Sequence, residues 1–194
     1  FRVDIGLIGI SSIEPDGTKY VSSVVGGDIR CASFPSVAYP SMREPSGQPG
    51  YERRKTVAIP INGLYYEVGP EVELAADTCR ATQMHDRYTE TPEYMALLRG
   101  ALAMMKQPAI DLLVVGLPVA ALTTKKADLE KLVTGTHDIG NGKSVVVRKA
   151  LAIAQPQGAL VDFAVQHGKM ASIEREQSLI IDPGRDLPVI PGQP

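Results

Sequence analysis

The chain has few cysteines, little net charge and no long apolar run, and each shortage excludes a class of function. Cys31 and Cys79 are the only cysteines among 194 residues, and they lack the spacing of metal ligands, so we expect two reduced thiols. The 20 basic and 22 acidic residues nearly balance, which offers no general attraction to nucleic acid or anionic lipid. No apolar segment approaches the roughly 18 residues that span a membrane. We therefore expect a cytoplasmic protein that binds neither nucleic acid nor membrane directly.

Histidine is also scarce, and its positions predict no metal or catalytic site. His85, His137 and His167 have no partners at a recognisable spacing, which favours packing or surface roles. The apolar content of 44% is enough for a sizeable core in a globular protein. Phe1 stands where an initiator methionine is usual, so we expect a trimmed or incomplete amino terminus.

The segment from Ile110 to Val119 is almost continuous Leu and Val, which predicts a strand in the middle of a mostly parallel sheet. Two segments are predicted as its neighbours, Phe1 to Ile5 and Ser178 to Ile181. Each ends in an acid followed closely by glycine, in Asp4-Ile5-Gly6 and Asp182-Pro183-Gly184. Ligands of open α/β sheets bind beyond the carboxyl ends of the strands, so these two turns are where we expect the chemistry.

Three hairpins are predicted from alternating segments that flank turn residues. The first joins Thr18 to Val25 with Asp28 to Ser33. The second has Asn62-Gly63 as its turn, which is the strongest short hairpin signal in the chain. The third turns at Gly140-Asn141-Gly142 and continues into a long apolar arm from Ser144 to Ile153.

Helices are predicted in three places and a long loop in one. Thr91, followed by proline, begins a helix that ends near Met105. A second helix is predicted from Thr123 or Thr124 to Gly135, and a third from Ala159 to His167. Leu7 to Gly17, rich in Gly, Ser and Pro, is predicted as a loop.

The alternation of these segments predicts an α/β fold with a small inserted α+β subdomain. The division places residues 1–34 and 102–184 in one lobe, residues 35–101 in the insertion and residues 185–194 in a tail. The stretch dense in Pro, Gly and Ser between Val37 and Arg54 separates the two sheet-like patterns.

Seven segments, taken in chain order, resemble the plasmid-encoded bacterial actins, and most closely the ParM/StbA group and the PRTRC system protein D proteins. These segments are Asp4 to Gly6, Gly17 to Val21, Phe34 to Ala38, Tyr66 to Gly69, Val114 to Val119, Gln155 to Leu160, and Ile181 to Gly184. Together they cover nearly the whole chain. Each motif is weak alone, but the ordered set is fairly specific.

The resemblance implies the actin-like, ribonuclease H-like ATPase fold, in which two phosphate loops hold ATP and Mg²⁺ between two lobes. Glycine lets backbone N–H groups approach phosphate, and carboxylates hold Mg²⁺ through oxygen. On this resemblance Gln157, or alternatively Gln155, orients the attacking water. The residues implied to bind the nucleotide are Asp4, Gly6, Thr18, Lys19, Asp182 and Gly184, of which Asp4 and Asp182 share the Mg²⁺.

The sequence departs from the family in two respects. Asp4 and Lys19 are separated by more chain than a tight phosphate hairpin uses. The sequence also ends soon after the second phosphate motif, so we expect a protein truncated to the first lobe, with ATPase activity only if a second lobe completes it.

The resemblance implies a filament-forming ATPase that segregates plasmid DNA through an adaptor protein. Two alternatives stay open. One is a kinase on the same fold, which needs a catalytic acid that the sequence does not offer. The other is a non-catalytic interaction module derived from an actin-like lobe.

Overall fold

The structure is a computed structural model that describes residues 7–14, 17–24, 30–42, 55–72 and 87–173, together with residues 175, 178 and 180. Within these residues no helix is both long enough and apolar enough to cross a bilayer. The described chain forms three sheets and three α-helices.

The strands and helices alternate in the order expected of an α/β protein. The strands are β1 (Leu7–Glu14), β2 (Gly17–Val24), β3 (Arg30–Phe34), β4 (Tyr39–Ser41), β5 (Val57–Ile61), β6 (Leu64–Val68), β7 (Ala109–Ile110), β8 (Leu112–Leu117), β9 (Gly135–Asp138), β10 (Ser144–Val147) and β11 (Ala150–Ala154). The helices are α1 (Pro92–Met105), α2 (Val119–Val133) and α3 (Gln155–Gln166), with a short 3-10 helix at Tyr88–Glu90.

The largest sheet has five strands in the order β11-β8-β1-β2-β3, so β8 lies in its middle, as predicted. The strands β1, β8 and β11 are parallel to one another, whereas β2 and β3 pair antiparallel. β8 pairs with β1 and β11 on its two sides, rather than with the two predicted neighbours. Phe1 to Ile5, one of these, lies outside the described residues. Ser178 and Ile180, the described residues of one predicted neighbour, are in neither a strand nor a helix.

The predicted loop over Leu7 to Gly17 was also wrong, since most of it is the strand β1. Its eight residues pair with β2 on one side, and Ile8 to Ser11 pair with β8 on the other. Glu14 lies opposite Gly17, so only residues 15 and 16 connect β1 to β2. The connection is therefore a tight hairpin next to Thr18 and Lys19, and the apparent insertion between Asp4 and Lys19 is mainly a strand.

The predicted arm from Ser144 to Ile153 is divided between two sheets. β10 pairs with β9 and β7 in a three-stranded sheet, whereas β11 joins the main sheet beside β8. The break falls at Arg148 and Lys149, where the Lys149 carbonyl accepts a hydrogen bond of 2.8 Å from the Leu113 N–H.

The three predicted hairpins are confirmed by the pairing of β2 with β3, β5 with β6, and β9 with β10. Asn62 and Gly63 have φ angles of 51° and 81°, as a tight two-residue hairpin turn requires. β5, β6 and β4 form a separate three-stranded sheet. This small sheet lies where the inserted subdomain was predicted, and the exact domain limits stay a prediction.

Helix α1 begins and ends where the sequence indicates. The Thr91 hydroxyl accepts a hydrogen bond of 3.2 Å from the Tyr94 N–H, Pro92 occupies the first turn, and Lys106 ends the helix with a φ of 55°. α1 packs against β1 and β2 of the main sheet and against β5 and β6 of the small sheet. The predicted domain boundary after Ala101 therefore falls inside a helix that contacts both sheets.

The other two helices begin earlier than predicted. α2 starts at Val119, directly after Pro118, so Thr123 and Thr124 lie inside it rather than capping it. α3 starts at Gln155, immediately after β11, rather than at Ala159.

A single hydrophobic cluster joins α1 and α2 to one face of the main sheet. The alternate residues Leu113, Val115 and Leu117 of β8 are at most 1% exposed, and Leu97 and Leu98 of α1 are fully buried. Because strand side chains alternate between faces, this face is the one covered by the helices. The intervening residues of β8 are only partly buried.

His137 of β9 is buried beneath the end of α2. Its Nε2 lies 2.8 Å from the Val133 carbonyl, and since a carbonyl only accepts, Nε2 carries the proton. Nδ1 is buried and has no hydrogen-bond partner among the described residues. Burial lowers the pKa of His137 and the charge of Arg99 lowers it further, whereas the hydrogen bond to Val133 opposes the shift.

We expect acid to destabilise the fold through His137. The folded state disfavours protonation while the unfolded histidine takes up a proton near pH 6.5, so stability is full above that pH and declines below it, by less than about 1.4 kcal/mol per pH unit. Urea unfolding between pH 7.5 and 5.5 measures this slope. His137→Gln keeps a donor for Val133 and should flatten it.

His167→Gln, which replaces an exposed histidine by the same residue, is the matched control. Parallel curves for the wild type and His137→Gln would show that other groups cause the pH dependence.

Candidate functional site

The carboxyl ends of the three parallel strands form one edge of the main sheet. Ser11 pairs with Val115, and Ala154 pairs with Leu117, so β1, β8 and β11 end almost level. Neighbouring strands are about 4.8 Å apart, which places the β1–β2 connection and the start of α3 roughly 10 Å from each other. Ligands of open α/β sheets bind at such an edge.

Two helices begin at this edge with their first turns accessible. α2 has no side-chain cap at Pro118, and neither α2 nor α3 carries an acidic residue in its first turn. Val119 is 63% exposed. The N–H groups of a first helical turn and the positive end of the helix dipole favour a negatively charged ligand at these starts.

The donor chemistry of this edge therefore fits the phosphates of a nucleotide. It does not by itself supply ligands for Mg²⁺. Among the described residues, no group of three or more His, Cys, Asp and Glu side chains could hold a metal ion. The two carboxylates predicted to hold Mg²⁺, Asp4 and Asp182, lie outside the described residues.

Thr18 and Lys19 lie on β2 next to the hairpin connection, but on opposite faces of the sheet. Thr18 is fully buried, and its hydroxyl is 2.9 Å from the hydroxyl of Ser36. Lys19 is exposed on the other face. Of these two predicted nucleotide ligands, the lysine is the one whose side chain is accessible to a ligand.

Asp4, Gly6, Asp182 and Gly184 all lie outside the described residues, so their predicted roles stay predictions. In the sequence, Asp4 and Gly6 precede β1. β1 runs for about 25 Å from Leu7 before it reaches the edge.

Gln157 lies at the predicted edge, in the first turn of α3. Its Oε1 accepts a hydrogen bond of 3.1 Å from the Ala154 N–H, which is how a glutamine at the third helical position caps a helix start. The side chain is exposed, and the second lone pair of Oε1 and the amide N–H groups remain for another partner. Gln155, the alternative, is the first residue of α3 and is partly buried.

Sequence reasoning missed two features of this edge. The first is the Glu14–Gly17 connection, whose Asp-Gly pair at positions 16 and 17 is itself a hairpin signal. The second is Glu130 of α2, whose Oε1 accepts a hydrogen bond of 2.9 Å from the Ala152 N–H of β11. No motif marks Glu130, because only the fold brings it to β11.

A mixed five-stranded sheet with helices after β8 and β11, joined to a small second sheet, defines the protein as an α/β lobe of the actin type. The chain belongs to the family of actin-like proteins, since the family described as "Actin like proteins N terminal domain" matches residues 16–158. No curated protein matches the chain.

Solved structures share this fold at low sequence identity. The psk41 ParM protein has a TM-score of 0.60 and 17% identity over 80% of this chain and 51% of its own. AlfA from the *B. subtilis* plasmid pLS32, a filament structure, has a TM-score of 0.54 and 19% identity over 80% of this chain and 58% of its own. Ta0583, an archaeal actin homolog, has a TM-score of 0.58 and 19% identity over 83% of this chain and 49% of its own. The chain thus spans about half the length of these proteins.

Proposed function

We propose that this chain is the phosphate-binding lobe of a plasmid-partition ATPase of the actin-like family. In this proposal ATP drives assembly into filaments in the cytoplasm, and an adaptor protein links the filaments to plasmid DNA. The observation that carries it is the meeting of the β1–β2 hairpin with the starts of α2 and α3 at one edge of the sheet. Structures of an AlfA filament and of a *Bacillus thuringiensis* ParM, each with AMPPNP, support ATP as the ligand.

The residues would act mainly by binding and positioning. The backbone N–H groups of the Glu14–Gly17 connection, apart from Pro15, which has none, and those of the α2 start would contact phosphate oxygens. Lys19 would add a positive charge. Bound Mg²⁺ would neutralise charge on the phosphates, and Asp182 is the residue proposed to hold it, with Asp4 as the second predicted ligand.

Gln157 would orient the attacking water rather than remove its proton. An amide is not a strong base, and phosphoryl transfer depends mostly on positioning. The capping bond to Ala154 fixes the carboxamide at the edge in advance. Gln155 stays the alternative for this role.

A non-catalytic interaction module is the second candidate. Two contacts favour it: Gln157 caps α3, and Thr18 makes a buried contact with Ser36. Both side chains therefore have structural uses without nucleotide.

Calorimetric titration with ATP and Mg²⁺ tests the proposal. We expect saturable binding that Asp182→Ala weakens roughly tenfold or more, because a carboxylate that holds Mg²⁺ is lost. Asp128→Ala, which removes an exposed acid of α2, is the matched control and should leave affinity unchanged. Absence of binding to the wild-type chain would favour the interaction module.

A further inference from the structure

Among the described residues β11 is the outer strand of the main sheet, and three of its backbone N–H groups face away from β8. The Lys149 carbonyl points towards β8, where it accepts from Leu113, and residues alternate in direction along a strand. Ala150, Ala152 and Ala154 therefore direct their N–H groups to the outer side.

Side chains from α2 and α3 accept hydrogen bonds from the N–H groups on this outer side. Glu130 of α2 accepts from the Ala152 N–H at 2.9 Å, and Gln157 of α3 accepts from the Ala154 N–H at 3.1 Å. A carboxylate acceptor gives a stronger hydrogen bond than a neutral one. Among the described residues, the Glu130 carboxylate has one further partner, a loose ion pair with Lys126 Nζ at 3.9 Å.

The position of Ala154 determines where α3 begins. Ala154 is the last residue of β11, Gln155 is the first of α3, and Gln157 reaches back to Ala154. If the outer side of β11 is displaced, Gln155 and Gln157 at the proposed site therefore move with it.

We infer that Glu130 is a positioning residue for the phosphate-binding edge. Its carboxylate ties β11 to α2, and so fixes the start of α3 relative to the start of α2. This inference rests on the proposed function for its effect on ATP, but the positioning of Ala152 and Ala154 can be measured without nucleotide.

Three variants separate the hydrogen bond from the charge. Glu130→Met keeps the length of the side chain but has no acceptor oxygen. Glu130→Gln removes the charge and keeps an acceptor. Lys126→Met removes the loose ion pair and leaves the carboxylate.

The first measurement is amide hydrogen exchange at Ala152 and Ala154 in the nucleotide-free chain. We expect Glu130→Met to speed exchange at Ala152 roughly 10- to 100-fold and at Ala154 by a smaller factor. The reason is that the Ala152 N–H loses its acceptor and becomes accessible to water. Glu130→Gln should stay within about threefold of the wild type, and Lys126→Met should match it.

The second measurement is ATP affinity in the presence of Mg²⁺. Glu130→Met should weaken binding by roughly three- to tenfold, and Glu130→Gln should restore it. If Glu130→Met does not fold, Glu130→Asp replaces it. The aspartate side chain is one methylene shorter, so the same changes are expected at a smaller size.

Unchanged exchange at Ala154 in Glu130→Met would overturn the inference, as would a Glu130→Gln variant that behaves like Glu130→Met. Normal ATP affinity in Glu130→Met would also overturn it. Failure of the wild-type chain to bind ATP overturns the proposed function instead, and in that case exchange alone decides whether Glu130 positions the strand end.

Discussion

Replacing Gly100 with alanine should destabilise the protein by about 1–2 kcal/mol, although alanine is the better helix former by about 1 kcal/mol. Gly100 lies in α1 where the helix meets β6 of the small sheet. A Cβ at this position would overlap Cγ2 of Val68, whose side chain is fully buried, and would also touch Phe34. Urea unfolding measures the loss.

Gly158 of α3 provides a matched control for this prediction. A Cβ there meets no atom within 4 Å. Gly158→Ala should therefore stabilise the protein by about 0.5–1 kcal/mol, through reduced freedom of the unfolded chain and better helix propensity. The same substitution in two helices is thus expected to have opposite signs.

A double mutant tests the cause. In a Val68→Ala background the overlap is relieved, so Gly100→Ala should become neutral or stabilising, and the two changes should be strongly non-additive. Stabilisation by Gly100→Ala in the wild-type background would show that α1 can shift without cost.

Phosphate release by the 194-residue chain with ATP and Mg²⁺ should not exceed that of an Asp182→Ala blank. The edge proposed to bind phosphates is open to water, since Val119 and Gln157 are exposed. Positioning can contribute roughly 7–11 kcal/mol to a reaction, and an open edge fixes only one side of the nucleotide.

Gln157→Ala should accordingly change turnover little in this chain, while lowering stability by about 1 kcal/mol through loss of the capping bond. In a chain completed by a second lobe, the same substitution should slow turnover by roughly one to three orders of magnitude. Turnover by this chain near the usual enzyme range of about 1 s⁻¹ or more would mean that the active site is already complete.

Local sequence signals predicted the hairpins and α1 well, because the residues that a tight turn or a helix start requires are present at those positions. Asn62 and Gly63 supply the positive φ angles of a tight turn, and Thr91 with Pro92 supplies a helix start. These features depend on a few neighbouring residues and little on the rest of the fold.

The partners of β8 depend on long-range packing and were missed. β1 contains one Gly and two Ser among its eight residues, which weakens its strand pattern, and its contact with α1 joins segments far apart in the sequence. The segment from Ser144 to Ile153 reads as one apolar run, and only the position of β8 explains why it divides at Lys149.

The residues of the candidate site stay predictions. The structure brings Lys19, next to the β1–β2 connection, and Gln157, in the first turn of α3, to one edge of the sheet. Asp4 and Gly6, where the first phosphate turn was predicted, lie outside the described residues. The Glu14–Gly17 connection has a local signal in Asp16-Gly17, but its register follows only from the pairing of β1 with β2, in which Glu14 lies opposite Gly17.

The two-sided packing of α1 makes the small sheet indispensable to the lobe, even though the sequence patterns predict that sheet as an insertion. Arg99 donates to the Pro60 carbonyl at 3.0 Å, and Gly100 lets Val68 rest directly on the helix backbone. Excising the small sheet would leave a partly buried guanidinium without that partner and an apolar helix face in water. Engineered minimal versions of this lobe must therefore retain β5 and β6, and a natural relative that lacks them would need a different α1.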